Sequence, residues 1–162
     1  EHGNLLDEET AELMAKHDVW LVPTLVTYFA MASEGKKLGF PERNLVKNEA
    51  VLAAGLESLV IAEKAGVKIG WGTDLIGETQ AMQRREFAIR SRVQSAESIL
   101  HAMYITNPAI LRKTDSIGRL TPGMIGDAII TTVNPLENIA DLENDAAITN
   151  VVQRGRLVGS LA

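Results

Sequence analysis

Two residues in this sequence combine a reactive side chain with a position at the end of a short apolar segment. His2 stands directly before Gly3, at what we predict to be a strand end, where an imidazole nitrogen can bind a metal ion. Asp74 follows the apolar run 69–71, at the carboxyl end of a predicted strand, where parallel α/β folds keep their catalytic groups. Both residues are therefore candidates for a site.

Each candidate also has an ordinary structural interpretation. A single histidine such as His2 is often a surface or core residue, and the aspartate of a Gly-Thr-Asp sequence often caps a helix or forms an Asx-turn. The other two histidines favour structural roles, because His17 lies at a predicted helix end and His101 lies inside a predicted helix. Asp74 needs a partner before a functional interpretation holds.

A charged cluster follows Asp74 and comprises Glu78, Arg84, Arg85 and Glu86. These side chains could line the mouth of a pocket. Charged runs of this kind more often form the solvated face of a helix, and we predict that role for them.

Composition limits the classes of protein and of site. The 162 residues are 46% hydrophobic, enough for one ordinary core in one domain or in parts of two. The absence of cysteine excludes disulfides and thiolate zinc sites, so any metal ligands are histidine or carboxylate. A net charge of −5 without a basic run argues against nucleic acid, and apolar stretches far shorter than about 20 residues argue against a membrane span. A cytoplasmic location is the default expectation, and the start at Glu1 looks like the middle of a longer chain.

The elements that position the candidates form a strand, helix, strand pattern. The sequence first predicts a helix over 7–16, capped by Asp7, and then a buried strand over 19–26, which Pro23 restricts to its first half or interrupts with a bulge. A long loop over 28–40 leads to a helix over 42–65 that Gly66 ends, and a strand over 67–74 follows. Such a βαβ unit is typical of a parallel sheet. It carries Asp74 at its far end.

The pattern changes after residue 115. Before it we predict helices over 80–93 and from a Ser95 cap over 96–105, followed by one more turn from Asn107. After it, strands are predicted over 127–133 and 148–158, with a hairpin turn at 153–156. We therefore predict two parts, a barrel-like α/β part over 1–115 and a small β part over 116–162.

Several segments together resemble the amidohydrolase superfamily, most closely its branch of dipeptidases, lysine and arginine carboxypeptidases and imidazolonepropionase-like proteins. Segments 1–7, 21–25 and 69–75 resemble its sixth, seventh and eighth barrel strands with the turns that follow them. Segments 118–123 and 134–136 resemble the return to its small β-sandwich, although Gly126 stands where the family usually has alanine. The resemblance implies the C-terminal portion of a (β/α)8 barrel followed by sandwich strands.

The resemblance also implies roles for the two candidates. His2 would be a metal ligand, and Asp74 would bind metal and handle the proton of the hydrolytic water. The implied cofactor is one or two zinc or other divalent ions in each complete site. The family's remaining ligands, a His-x-His pair, a carboxylated lysine and a further histidine, have no counterpart here, so the chain alone is expected to be inactive.

The resemblance implies a hydrolase of amide or peptide bonds in dipeptides or N-acyl amino acids. Tyr28 is the candidate for hydrogen bonding to the substrate. Cyclic amides, ureas and organophosphate esters are alternative substrates. A different class of function is an inactive fragment that acts as an oligomerising or binding module. Both the hydrolase and the fragment hypothesis predict a homo-oligomer or a complementary chain that supplies the rest of the barrel. A nucleotide-binding domain has little support, since the sequence has no Gly-x-Gly-x-x-Gly or phosphate loop.

Overall fold

The computed structural model describes residues 1–160, which form an α/β fold with two small sheets. The elements are α1 (Glu8–Lys16), β1 (Trp20–Leu21), α2 (Leu25–Glu34), α3 (Glu42–Lys64), β2 (Lys68–Ile69), a 3₁₀ turn (Gly77–Met82), α4 (Arg85–Arg90), α5 (Ala96–His101), a π turn (Ala102–Thr106), α6 (Asn107–Ile110), β3 (Ala128–Thr131), two 3₁₀ turns (Ile139–Glu143 and Asp145–Ala147), β4 (Ile148–Gln153) and β5 (Arg156–Ser160).

The predicted βαβ unit is confirmed, with much shorter strands than expected. β1 and β2 are parallel and pair Trp20 with Lys68 and Leu21 with Ile69. One further ladder bond joins the Gly70 N–H to the Leu21 carbonyl at 2.8 Å. Pro23 has no N–H to continue the ladder, so the pairing ends there.

The predictions for residues 19–40 were wrong in one respect, because a helix takes the last two residues of the predicted strand and positions 28–34 of the predicted loop. α2 begins at Leu25 and runs to Glu34. Apolar residues without alternation fit a buried strand and a buried helix equally well, and α2 buries Leu25, Val26 and Ala30. Its first N–H groups bond to the Glu86 carboxylate, which comes from 60 residues further along the chain.

Local signals placed several helix ends correctly. The Asp7 carboxylate accepts a hydrogen bond from the Thr10 N–H at 2.8 Å at the start of α1. Ser95 accepts one from the Ser98 N–H at 3.1 Å at the start of α5, and Gly66 follows α3 with φ of +78°.

Two predicted helices are interrupted. The expected helix over 80–93 is a 3₁₀ turn and the short α4, and the expected helix over 96–105 becomes a π turn after His101. The side chain of Asn107, which opens α6, reaches back to the strand segment beyond β2. Its Oδ1 accepts from the Trp71 N–H and its Nδ2 donates to the Trp71 carbonyl, both at 2.9 Å. This amide therefore satisfies both backbone groups of Trp71.

Two hydrophobic clusters hold the elements together. The larger one joins helices α1 to α3 to the parallel strands through Leu21, Leu25, Leu59 and Ile69. The second joins α4 and α5 to the 3₁₀ turns at 139–147, and its buried members are Phe87, Ile99, Ile139, Leu142 and Ala147. The second cluster crosses residue 115, where we predicted a boundary, and that division stays a prediction.

The C-terminal strands form an antiparallel sheet in the order β3, β4, β5. The predicted strands over 127–133 and 148–158 are confirmed in outline, and the second splits into β4 and β5 around Arg154 and Gly155. Both turn residues have positive φ, as a tight hairpin requires. Among residues 1–160, no helix has both the length and the apolar character needed to cross a membrane.

Candidate functional site

His2 and Asp74 lie next to each other, although 72 positions separate them in the sequence. The His2 N–H bonds to the Val22 carbonyl at 3.0 Å, which places the histidine beside the end of β1. Asp74 lies beyond the end of β2. Because β1 and β2 are parallel, this is the same end of the sheet. The resulting distance from His2 Nε2 to Asp74 Oδ2 is 3.9 Å. The structure thus supplies the partner that Asp74 lacked in the sequence.

Both residues adopt left-handed backbone conformations, with φ of 62° for His2 and 51° for Asp74. Residues other than glycine adopt this region at a cost and concentrate at functional sites. The turn at His2 also corrects one expectation, because residues 1 to 7 contain no strand. His2 is held by one backbone bond, to the Val22 carbonyl just after β1, rather than by a ladder.

Thr24 orients the imidazole. Its Oγ1 lies 2.7 Å from His2 Nδ1, and Thr24 is only 4% exposed. With a proton on Nδ1 donated to this hydroxyl, the lone pair of Nε2 points toward Asp74. Histidine ligands in metal sites commonly have such a partner on the second nitrogen.

The segment that leads to Asp74 is fixed by two contacts with the segment after β1. The Thr27 hydroxyl donates to the Asp74 carbonyl at 2.9 Å. Gly72 lies so close to Val22 that a Cβ built on it would come within 2.6 Å of Val22 Cγ1. Glycine therefore permits the close approach that brings Asp74 to His2.

Tyr28, in the first turn of α2, also belongs to this site. Its ring meets the edge of the His2 ring, with centroids 6.1 Å apart and planes at 87°. Burial, and then the charge of Asp74, raise the pKa of Tyr28. The phenol keeps its proton at neutral pH and is available as a hydrogen-bond donor.

The donor set of His2 and Asp74 fits part of a metal site. Bonds of about 2.1 Å from an imidazole nitrogen and a carboxylate oxygen can bridge the 3.9 Å between Nε2 and Oδ2. Both side chains are open to solvent and to a ligand, at 39% and 57% exposure. Within residues 1–160 no three His, Asp or Glu side chains converge, whereas a catalytic zinc site uses three protein ligands. The metal-binding roles of the two residues stay predictions.

The other sequence candidates lie away from this pair. His17 ends α1, as expected, and His101 ends α5, where its Nδ1 lies 3.4 Å from the Thr106 hydroxyl. Arg84 and Arg85 face the 3₁₀ turns at 139–147 and form ion pairs with Asp145 and Glu143.

Glu86 contradicts the prediction of a solvated face, because it is fully buried. Burial raises the pKa of Glu86 to about 7, against the opposing effects of Arg90 and of the Val26 and Leu25 N–H groups. The sequence contains a signal for this position. Glu86, Ile89, Arg90 and Val93 recur at helical spacing, so the two charged residues share a stripe with apolar core residues.

The chain is similar to known proteins over nearly its whole length. A family model described as the amidohydrolase family matches residues 1–158. Ochratoxinase of Aspergillus niger is 30% identical over 159 residues, which cover 97% of this chain and 33% of that enzyme. A prolidase crystallised with N-methylphosphonate-L-proline superposes with a TM-score of 0.92 at 39% identity, covering 98% of this chain and 39% of the prolidase. An Xaa-Pro dipeptidase with bound methionine in its active site gives 0.80 at 27% identity, with 97% and 38% covered.

The chain thus spans between 33% and 39% of the length of these three relatives. Nearly all of its own length takes part in each match.

Proposed function

Because the chain belongs to the amidohydrolase family, we propose that it forms part of a metal-dependent hydrolase that cleaves the amide bond of a dipeptide or an N-acyl amino acid. The family resemblance predicted from the sequence is confirmed by the match over residues 1–158. The observation that carries the proposal is the approach of His2 Nε2 to Asp74 Oδ2 at 3.9 Å, with Thr24 on the other imidazole nitrogen.

The proposal for the fold follows the same relatives. Residues 1–115 would be the last portion of a (β/α)8 barrel, and residues 116–162 would contribute strands to a β-sandwich. The prolidase superposition over 98% of the chain, with a TM-score of 0.92, supports this assignment. The remaining metal ligands would then come from polypeptide outside this sequence, either in the same chain or in a partner.

Within the proposed mechanism His2 and Asp74 would hold a divalent ion such as zinc. When bound, such an ion supplies a Lewis acid that acidifies water and polarises a carbonyl oxygen. The Asp74 carboxylate accepts the proton of the attacking water and returns it to the leaving nitrogen, so the amine departs neutral. The Thr24 hydroxyl keeps the imidazole of His2 in one orientation throughout.

The names of the relatives narrow the substrate. The prolidase was crystallised with a proline derivative, and the dipeptidase is named an Xaa-Pro dipeptidase. These relatives favour the dipeptidase end of the predicted branch. We therefore propose a substrate with a free carboxylate on the leaving amino acid, and the half-buried Tyr28 phenol as a donor to the substrate.

The first test is metal content and turnover of the protein produced from its complete reading frame. Asp74→Asn keeps the size of the side chain but removes the proton acceptor, so we expect kcat to fall by about 10²- to 10⁴-fold. Asp18→Asn is a matched control, because Asp18 also has positive φ (55°) and a charged partner, Lys68 at 2.6 Å, but precedes β1 at the other end of the strands. Full activity of Asp74→Asn would refute the assignment.

The role of Tyr28 is tested with Xaa-Pro dipeptides and N-acyl amino acids. Tyr28→Phe keeps the ring packed against His2 and removes only the donor. Since a lost hydrogen bond to a charged group costs about 1.5–3 kcal/mol, we expect KM to rise by about tenfold or more. Unchanged KM and kcat would leave Tyr28 as a packing residue.

A second candidate function is an inactive binding module. Exposed apolar side chains favour it, since Ile130, Leu157 and Val158 on the three-stranded sheet are each more than half exposed. The 162-residue chain would then self-associate or bind a complementary chain. Sedimentation that shows a monodisperse monomer at micromolar concentration would contradict this candidate.

A further inference from the structure

The start of α2 lacks the capping arrangement that its sequence would normally provide. Thr24 occupies the N-cap position, where a threonine hydroxyl usually accepts a hydrogen bond from the first turn. Here the hydroxyl makes no such bond and contacts His2 Nδ1 instead. The first N–H groups of α2 therefore need another acceptor, because they are buried.

Glu86 is that acceptor. Its Oε2 accepts from the Val26 N–H at 2.6 Å and its Oε1 from the Leu25 N–H at 3.4 Å. A carboxylate at this point also complements the positive end of the helix dipole. Glu86 thus performs the capping role and leaves the Thr24 hydroxyl free for the histidine.

A second backbone group lacks its usual hydrogen-bond partner where β1 ends. In the register that pairs Leu21 with Ile69, the next donor to the Gly70 carbonyl would be the N–H of residue 23, and Pro23 has none. Arg90 Nη1 donates to this carbonyl at 2.9 Å. A guanidinium group therefore fixes the strand segment four residues before Asp74.

Glu86 and Arg90 are one turn apart on α4, and both are fully buried. Burial lowers the pKa of Arg90 to about 10, against the opposing effects of Glu86 and Glu63, so Arg90 stays protonated at neutral pH. Arg90 Nε also donates to Gln94 Oε1 at 2.7 Å, and its guanidinium lies 5.0 Å from the Trp71 ring centroid. Burying two ionisable groups is costly. Glu86 bonds to the backbone directly after Thr24, and Arg90 bonds to the Gly70 carbonyl, four residues before Asp74.

We propose that Glu86 is a buried positioning residue for the active site. Glu86 acts on His2 through the start of α2 and the Thr24 hydroxyl. The inference rests on the proposed function for what His2 and Asp74 bind. The effect of Glu86 on the orientation of the His2 ring can be measured without any metal.

The metal-free readout is the set of ring nitrogen chemical shifts of His2, measured by NMR on the protein from its complete reading frame. These shifts report which imidazole nitrogen carries the proton. Glu86→Gln and Thr24→Val are both expected to move them toward the values of a free tautomer mixture. Leu59→Ala, a buried core change in α3, lowers stability without removing a hydrogen bond of this network, and it is expected to leave the shifts unchanged. Wild-type shifts in Glu86→Gln would overturn the inference.

The second readout is zinc affinity in a double-mutant cycle. Partners of metal ligands are worth about 10- to 100-fold in affinity, so Glu86→Gln and Thr24→Val should each weaken zinc binding by at least about tenfold. If Glu86 acts through Thr24, the double variant should match the weaker single variant within about twofold. Additive losses, as expected for a merely structural role, would overturn the inference.

The two proposals fail in distinguishable ways. If the wild-type protein binds no zinc but Glu86→Gln moves the His2 shifts, the proposed metal site fails and the positioning role stands. If Thr24→Val weakens zinc binding while Glu86→Gln changes neither the affinity nor the shifts, the metal site stands and the positioning role is wrong.

Discussion

Replacing Thr24 by valine tests the geometry of the candidate site most directly. Valine has nearly the shape of threonine, so the change removes the 2.7 Å contact to His2 Nδ1 and little packing. Thr24 is only 4% exposed, so the hydroxyl side of the contact is shielded from water, while the His2 side chain is 39% exposed. Loss of a ligand's hydrogen-bonding partner lowers metal affinity by about 10- to 100-fold, or about 1.4 to 2.8 kcal/mol. The free energy of unfolding should change by only about 1 kcal/mol.

The assay is competition for zinc against a chelator of known affinity, at a fixed pH. Thr24→Ser, which keeps the hydroxyl, should retain most of the affinity. Thr106→Val is a matched control, because Thr106 is also buried and its hydroxyl also lies near a histidine nitrogen, that of His101 at 3.4 Å. Equal zinc affinity for the wild type and Thr24→Val would refute the assignment of Thr24 as the support of a ligand.

Two further predictions concern the surroundings of the site. Gly72→Ala should weaken zinc binding in the same competition assay. The new Cβ would come within 2.6 Å of Val22 Cγ1 and force apart the segments that carry His2 and Asp74. Unchanged zinc affinity would contradict this prediction. Stability should also depend on Glu86, whose folded pKa of about 7 lies above the ordinary value of 4.5. The folded protein therefore holds an extra proton between these values, and the free energy of unfolding should fall as pH rises from about 4.5 to 7. At about 1.4 kcal/mol for each pH unit, the loss amounts to about 3 kcal/mol. Urea titrations across this range should show the slope in the wild type but not in Glu86→Gln.

Elements with local determinants could be predicted from the sequence. Asp7 and Ser95 cap their helices with groups only three residues away, and Gly66 ends α3 as a single residue with positive φ. α2 was missed because its determinant is not local. The apolar run at its start is compatible with a strand, and the Glu86 carboxylate that stabilises the helix start comes from 60 residues away.

The same difference between local and distant determinants explains which residues of the site the sequence could indicate. His2 and Asp74 could be named as candidates because their residue types and positions at segment ends suggest chemistry, and the structure places them side by side. Thr24 and Glu86 were not, because a threonine or a glutamate has many ordinary uses and its hydrogen-bond partner depends on the fold. The burial of Glu86 could have been suspected only from its place on the apolar stripe of α4.

The amide of Asn107 also has a consequence for self-association. Exposed strand edges are templates on which other chains add strands, and unprotected edges lead to aggregation. Within residues 1–160, β2 pairs with β1 alone, so its other edge is free. Asn107 already bonds to the N–H and the carbonyl of Trp71. Trp71 is the position at which an added strand would continue its backbone pairing beyond the end of β2. A strand that joins this edge must therefore end its backbone pairing before Trp71, which limits how a neighbouring strand, native or foreign, can attach.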